Sequence, residues 1–225
     1  MSRFRFSMRP ALCAAAAALT AGAVAAAPAA AQTITIAPSA TGAEVGPFGA
    51  DPAYGFTTGL VGQSFVAPNA RLQTFSFTLR SEAGAATVPQ FRAYVADYDP
   101  LNGAIGTVRF TSGPLVGQAG AGYAPLTIAA NVGLVTGLPY IAYLAGVTST
   151  SGVNYVATNE TAPYAAGVLV YDLGGGSLYA DASQDAAFTA VFGPAATAVP
   201  EPATLLLVAG GLAGVGVLAP RRRSA

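Results

Sequence analysis

A chain of 225 residues with no His, no Trp and a single Cys lacks the parts for most familiar active sites. No imidazole is available to take a proton from a Ser or Cys nucleophile, and no His/Cys set exists to hold zinc. The formal net charge of zero conceals an asymmetry: every basic residue is Arg and six of the ten lie near the ends, so segment 32–199 holds four Arg against nine carboxylates. That acidic, Lys-free core offers no footprint for a phosphate backbone, which excludes nucleic acid as a partner.

Arg3, Arg5 and Arg9 precede an uncharged apolar run from Ala11 to Ala27, followed by Pro28-Ala29-Ala30-Ala31-Gln32. A basic flank, a short apolar stretch and small residues at Ala29 and Ala31 predict a secretory signal peptide over residues 1–31, cleaved before Gln32. A buried Ala-rich helix would show a polar face, and this run has none. Cys13 falls inside the leader, so the exported domain contains no thiol and no disulfide.

Residues 32–198 are expected to form one ectodomain, large enough to build its own core. In Arg71–Arg80, Phe75, Phe77 and Leu79 alternate with Ser76 and Thr78, the period of a strand with one buried face. Phe91–Asp97 repeats the pattern with Phe91, Ala93 and Val95 on one side. Gly62–Ala67, Gly106–Thr111, Leu126–Ala130, Tyr140–Ala145, Gly167–Tyr171 and Ala186–Phe192 complete a set of about eight strands. Turn signals separate them at Pro68-Asn69, Asp99-Pro100 with Asn102-Gly103, Thr136-Gly137 and Gly174–Gly176. The predicted class is all-β, a β-sandwich or jelly roll, flanked by a signal helix and a C-terminal transmembrane helix.

Three features of the core invite a functional reading. Asp97, Asp99 and Asn102 form the richest oxygen cluster, and Ca²⁺ is the one cofactor such a loop would take. The spacing departs from the EF-hand pattern, because Leu101 stands at the third ligand position and no Glu closes the loop; a hairpin turn accounts for the same residues. Asp172, Asp181 and Asp185 form a second acidic region, in which paired carboxylates would suit a glycosidase and scattered solvent-facing acids are the simpler reading. Tyr54, Tyr98, Tyr123, Tyr155, Tyr164 and Tyr179 lie in Gly/Pro/Asn-rich surroundings where exposed rings could stack on a sugar, although Tyr also packs well at a sandwich rim. Asn159-Glu160-Thr161 matches a glycosylation sequon and is read as chance.

At the C-terminus, Pro200-Glu201-Pro202 leads into an uncharged stretch from Ala203 to Ala219 and then Arg221-Arg222-Arg223. Seventeen such residues are at the short end of a bilayer span, and the Arg cluster acts as a stop that stays cytoplasmic. The arrangement over 199–225 resembles the PEP-CTERM sorting signal of Gram-negative bacteria. The resemblance implies that Pro200, Glu201 and Pro202 are the recognition motif for a membrane exosortase, with the export machinery and the inner membrane as transient partners and the cell surface or exterior as destination. Gly62–Phe65, Leu72–Phe77, Phe91–Val95 and Asp185–Phe192 further resemble the jelly-roll ectodomain common among such proteins, whose motifs are structural. The resulting expectation is a non-enzymatic structural or interaction protein linked to exopolysaccharide or biofilm. The alternative is a carbohydrate-binding module, Ca²⁺-dependent if the Asp97 cluster holds a metal, with polysaccharide as partner.

Overall fold

The computed structural model describes residues 30–49, 58–82, 88–145, 152–161, 163–174 and 176–194. The expected signal helix, Ala29, the sorting motif, the transmembrane helix and the Arg cluster lie outside the described residues. Among the described residues there are fourteen strand segments and no helix, so none is long and apolar enough to cross a membrane. In chain order these are β1 (Gln32–Ile36), β2 (Glu44–Gly49), β3 (Leu60–Val66), β4 (Arg71–Ser81) and β5 (Gln90–Asp99). There follow β6 (Ala104–Thr111), β7 (Leu115–Val116), β8 (Ala124–Gly133), β9 (Pro139–Ala145) and β10 (Val153–Asn159). The last four are β11 (Leu169–Asp172), β12 (Leu178–Asp181), β13 (Asp185–Ala186) and β14 (Phe188–Gly193).

They form two seven-stranded antiparallel sheets. The first is organised on β4, the longest strand. One edge of β4 pairs with β14 (Phe77 opposite Phe188) and, beyond the end of β14, with β10 (Leu79 opposite Val156). The other edge pairs with β8, while β1 flanks β14 and β2 flanks β10. The second sheet runs β12-β11-β3-β9-β5-β6, with β7 beside the start of β5. The sheets face each other across an apolar layer, the sandwich arrangement expected from the alternation.

That alternation is realised side chain by side chain. Leu72, Phe75, Phe77 and Leu79 of β4 are fully buried, whereas Ser76 and Thr78 between them are only half-buried. From β5, Phe91, Ala93 and Val95 enter the same core. Aromatic rings join the two sheets. Phe65 of β3 lies 6.0 Å from Phe188 and 5.6 Å from Phe192 of β14, and Phe48 of β2 meets Phe91 of β5 edge-on at 5.2 Å. Phe188 also touches Phe77 at 5.2 Å and Phe75 at 6.4 Å.

The eight strands read from the sequence coincide with β3, β4, β5, β6, β8, β9, β11 and the β13–β14 segment. Six segments extend that reading or split it. Three of the added ones, β7, β12 and β13, are four residues or fewer, too short for a period to show. β2 contains Gly46 and Pro47, which interrupt the pattern that marks a strand. β10 carries two Asn and gains its strand conformation from pairing on both edges, with β4 and with β2. β1 does alternate Thr with Ile, but over five residues that signal is slight.

Truncating Phe188, which is 1% exposed and in contact with rings of both sheets, removes the centre of this layer. Phe188→Ala is expected to lower the unfolding free energy by about 3–5 kcal/mol, measurable by urea denaturation.

Candidate functional site

The oxygen cluster sits where β5 turns into β6. Asp99 pairs with Ala104, so residues 100–103 form a four-residue hairpin loop, closed by Gly103 at φ 63°. The Asp99 carboxylate accepts the Leu101 N–H at 2.9 Å and Asn102 Nδ2 at 2.6 Å. These bonds stabilise the anion and hold its pKa below the ordinary carboxylate range, with the Asn102 side chain the largest cause. Asp97 is engaged separately: Arg109 on β6 donates to its two oxygens at 2.8 and 2.7 Å. The turn chemistry and a cross-strand ion pair thus occupy the expected ligands. Among the described residues, no group of three or more Asp or Glu is placed to hold a metal ion.

A second polar centre, which sequence reasoning did not single out, lies on the first sheet. Arg80 of β4 donates through Nε and Nη2 to Glu44 of β2, at 2.7 and 2.5 Å. Its guanidinium stands 4.3 Å from the Tyr155 ring centroid and 5.8 Å from that of Tyr123, a cation–π arrangement. The Tyr123 hydroxyl donates to the same carboxylate at 2.5 Å. The hydrogen bonds that Arg80 donates to Glu44 are the largest cause that raises its own pKa, so the guanidinium stays protonated. No local motif signals it, because Glu44 and Arg80 are brought together only through β10, which pairs with both their strands.

The acidic region divides into three environments. Asp172 and Asp181 lie on adjacent strands, but Asp181 is opposite Leu169. Three residues of stagger separate them by roughly 10 Å along the strands. Each closes its own turn, Asp172 accepting the N–H groups of Gly174 and Gly176 and Asp181 accepting the N–H and the hydroxyl of Ser183. Asp185 is not solvent-facing, as the sequence reading had it, but completely buried. Gln63 Nε2 donates to one of its oxygens at 2.7 Å and the Tyr164 N–H to the other, while Gln63 Oε1 accepts the Ala186 N–H at 2.8 Å. Burial pushes the Asp185 pKa up, against the two hydrogen bonds that favour the anion.

The tyrosines divide as well. Tyr98 is buried, 5% exposed, because the outer face of the second sheet packs Ala96, Ile141, Tyr143 and Val170 around it. Tyr155 and Tyr164 are half-buried, whereas Tyr123 and Tyr179 are exposed; Tyr54 lies outside the described residues. Tyr179 stacks on Tyr171 at 5.9 Å and 21°. Tyr171 in turn lines a groove of about 220 Å³ between the sheet edges, together with Glu44, Asp181 and Gln184. In the sequon, Asn159 Nδ2 donates to the Ala37 carbonyl and its Oδ1 accepts the Thr161 N–H, so the side chain has a structural task. Of the expected cleavage site, Ala31 and Gln32 are exposed at the start of β1.

The comparison that bears on function concerns the C-terminal segment. Residues 198–223 match the PEP-CTERM protein-sorting motif. The chain carries a PEP-CTERM sorting signal. The match contains Pro200, Glu201, Pro202, the apolar stretch and Arg221–Arg223, and it marks a protein exported and sorted by an exosortase to the cell surface through a membrane-anchored C-terminal segment. A search of curated proteins finds no match to the chain. The chain thus joins a sorting motif at 198–223 to a described body that is a β-sandwich.

The buried acid yields a pH prediction. Since its folded pKa is raised, the folded state binds this proton more tightly than the unfolded chain. The resulting stability is present in full below the unfolded carboxylate value and is lost as pH rises through the folded one. The stability difference between wild type and Asp185→Asn is therefore expected to move against wild type as pH is raised from about 4 to 7, read from urea melts of both proteins at each pH. Millimolar Ca²⁺ is expected to leave the thermal midpoint unchanged, because Asp97 and Asp99 already have partners.

Proposed function

We propose that this PEP-CTERM protein is a non-enzymatic structural or interaction component of the bacterial surface or extracellular matrix, made with a cleaved signal peptide and associated with exopolysaccharide. The observation that carries the reading is the sorting motif at 198–223, joined to a body without His, Cys or Lys. The geometry supports it. Glu44, Asp97, Asp99, Asp172, Asp181 and Asp185 each accept hydrogen bonds from the chain itself, in turns, ion pairs and the core. Even Glu44 and Asp181, which line one groove, are bound by the chain, Glu44 by Arg80 and Tyr123 and Asp181 by Ser183. Carboxylates committed in this way hold the fold, whereas a glycosidase turns its pair on the substrate.

A second reading, carbohydrate binding, draws on one specific feature. Tyr171 and Tyr179 present stacked rings beside a groove that also carries Glu44, Asp181 and Gln184, a combination of apolar platform and hydrogen-bonding groups that suits a sugar. Retention of the host polysaccharide on immobilised protein, lost in Tyr179→Ala, would establish this reading; equal retention by the variant would dismiss it.

The sorting reading is tested by the intact mass of the protein recovered from the host surface or culture fluid. The expected species begins at Gln32 and ends near Pro200-Glu201-Pro202. A species that retains Arg221–Ala225 would mean a permanently anchored protein. Changing Pro200-Glu201-Pro202 to Ala-Ala-Ala is expected to leave the protein uncleaved in the inner membrane, as read by fractionation and mass.

A further inference from the structure

The chain enters and leaves the sandwich at one end. Gln32, which opens β1, is opposite Phe192, and Gly193, the last residue of β14, is opposite Arg71 at the start of β4. Residues 194–202 separate β14 from the apolar stretch that begins at Ala203, and nine extended residues reach at most about 30 Å. While the C-terminal segment is anchored, so short a tether holds this end before the bilayer at a high effective concentration. The pairs Arg71–Gly133, Val66–Pro139 and Asp97–Tyr140 bring three connections to the same end: 67–70, 134–138 and the 100–103 hairpin.

These connections carry the two most exposed large apolar side chains among the described residues, Leu101 at 93% and Val135 at 60%. Leu138, 49% exposed, stands in the same turn as Val135. β5 and β9 are paired as far as Asp97 and Tyr140, so the hairpin and the 134–138 turn rise from neighbouring strands. A lone exposed Leu is ordinary on any protein, but these three gather where the tether faces lipid. Their backbone also suits a medium without water. The N–H groups of Leu134, Gly137 and Leu138 donate to the carbonyls of Ala70, Ala67 and Val135, and that of Val135 donates to the Tyr140 hydroxyl at 2.9 Å. In the hairpin Asp99 accepts the N–H groups of Leu101 and Asn102, and Pro100 has none to satisfy. Unpaired backbone groups keep loops out of lipid, and each of these donors already has a partner. The carboxylates of Asp97 and Asp99 are engaged by Arg109 and Asn102. Arg71 places at this end the charge that phosphate headgroups favour.

We propose that this end of the sandwich docks on the lipid bilayer that holds the sorting tail, with Leu101, Val135 and Leu138 dipping into the interface and Arg71 at the headgroups. The inference rests on the membrane-anchored tail and adds an orientation to it: the 100–103 and 134–138 connections face lipid, and the opposite end, with β7, points away. Three side chains make a weak contact by themselves, and the tether makes it effective.

The chain has no Trp, so a single introduced Trp reports its own surroundings. Leu101→Trp, Val135→Trp and Val116→Trp, all at exposed positions, are made in the full chain and reconstituted into vesicles of phosphatidylethanolamine and phosphatidylglycerol that contain lipids brominated high on the acyl chains. Val116 serves as the control, because it is opposite Gln90 at the far end of β5, roughly 30 Å away along the strand. Interfacial side chains sit about 5–10 Å into the headgroup boundary, within reach of those bromines. Emission from Leu101→Trp and Val135→Trp is therefore expected to shift to the blue and to be quenched, while Val116→Trp keeps the spectrum of a ring in water. Adding Leu138→Glu to Val135→Trp is expected to relieve the quenching. A chain that floats with the vesicles while Leu101→Trp and Val135→Trp are quenched no more than Val116→Trp overturns the proposal and leaves the anchoring intact. A chain that does not float overturns both.

Discussion

Phe188 stands against Phe65 of the opposing sheet and against Phe75 and Phe77 of its own, and the rest of the sandwich is arranged around that meeting of rings. The ectodomain has no cysteine with which to staple its layers. It must hold two large sheets together by burial of apolar surface, and aromatic side chains contribute the most buried area per residue. Phe48 against Phe91 and Phe75 against Phe110 extend the same contact towards the flanks. β4 can serve as the organiser of the first sheet because its inward side chains all meet this layer.

A polar contact crosses the apolar layer at Gln63. Gln63 of β3 spans to β13, giving its amide N–H to Asp185 and its carbonyl to the Ala186 N–H. A buried amide whose donor and acceptor ends have different partners allows one relative position of the sheets, where a purely apolar contact tolerates sliding. Asp185 then reaches beyond the core to the Tyr164 N–H, fixing the connector that rises onto the outer face of the second sheet. A structural carboxylate thereby shapes a surface that it does not itself reach.

The division of labour follows from this arrangement. The segment 198–223 carries the sorting signal, in residue types whose meaning is local: a Pro-Glu-Pro triplet, an apolar run and an Arg cluster. The body supplies a sandwich in which Arg80 pairs with Glu44 and Arg109 with Asp97, while Asp99, Asp172, Asp181 and Asp185 accept from neutral donors of the chain.

The sequence by itself determined the β class, the inward faces of β4 and β5 and the sorting signal, because each rests on a pattern within about ten to thirty consecutive residues. Alternation with period two, turn residues and a contiguous motif need no knowledge of the rest of the chain. Tertiary structure decided everything that depends on distant segments meeting. β10 is a strand because β2 and β4 hold both its edges. Asp185 is buried because Gln63, 122 residues earlier, supplies its partner, and an acidic residue between Gln and Ala gives no local sign of that. Tyr98 looked like a loop residue beside Asp99-Pro100, yet it is enclosed by side chains from β9 and β11. Asp97 and Asp99, two residues apart, were drawn to different partners by Arg109 and Asn102. Local patterns report the conformation of a segment, whereas burial and charge pairing are properties of the packed whole.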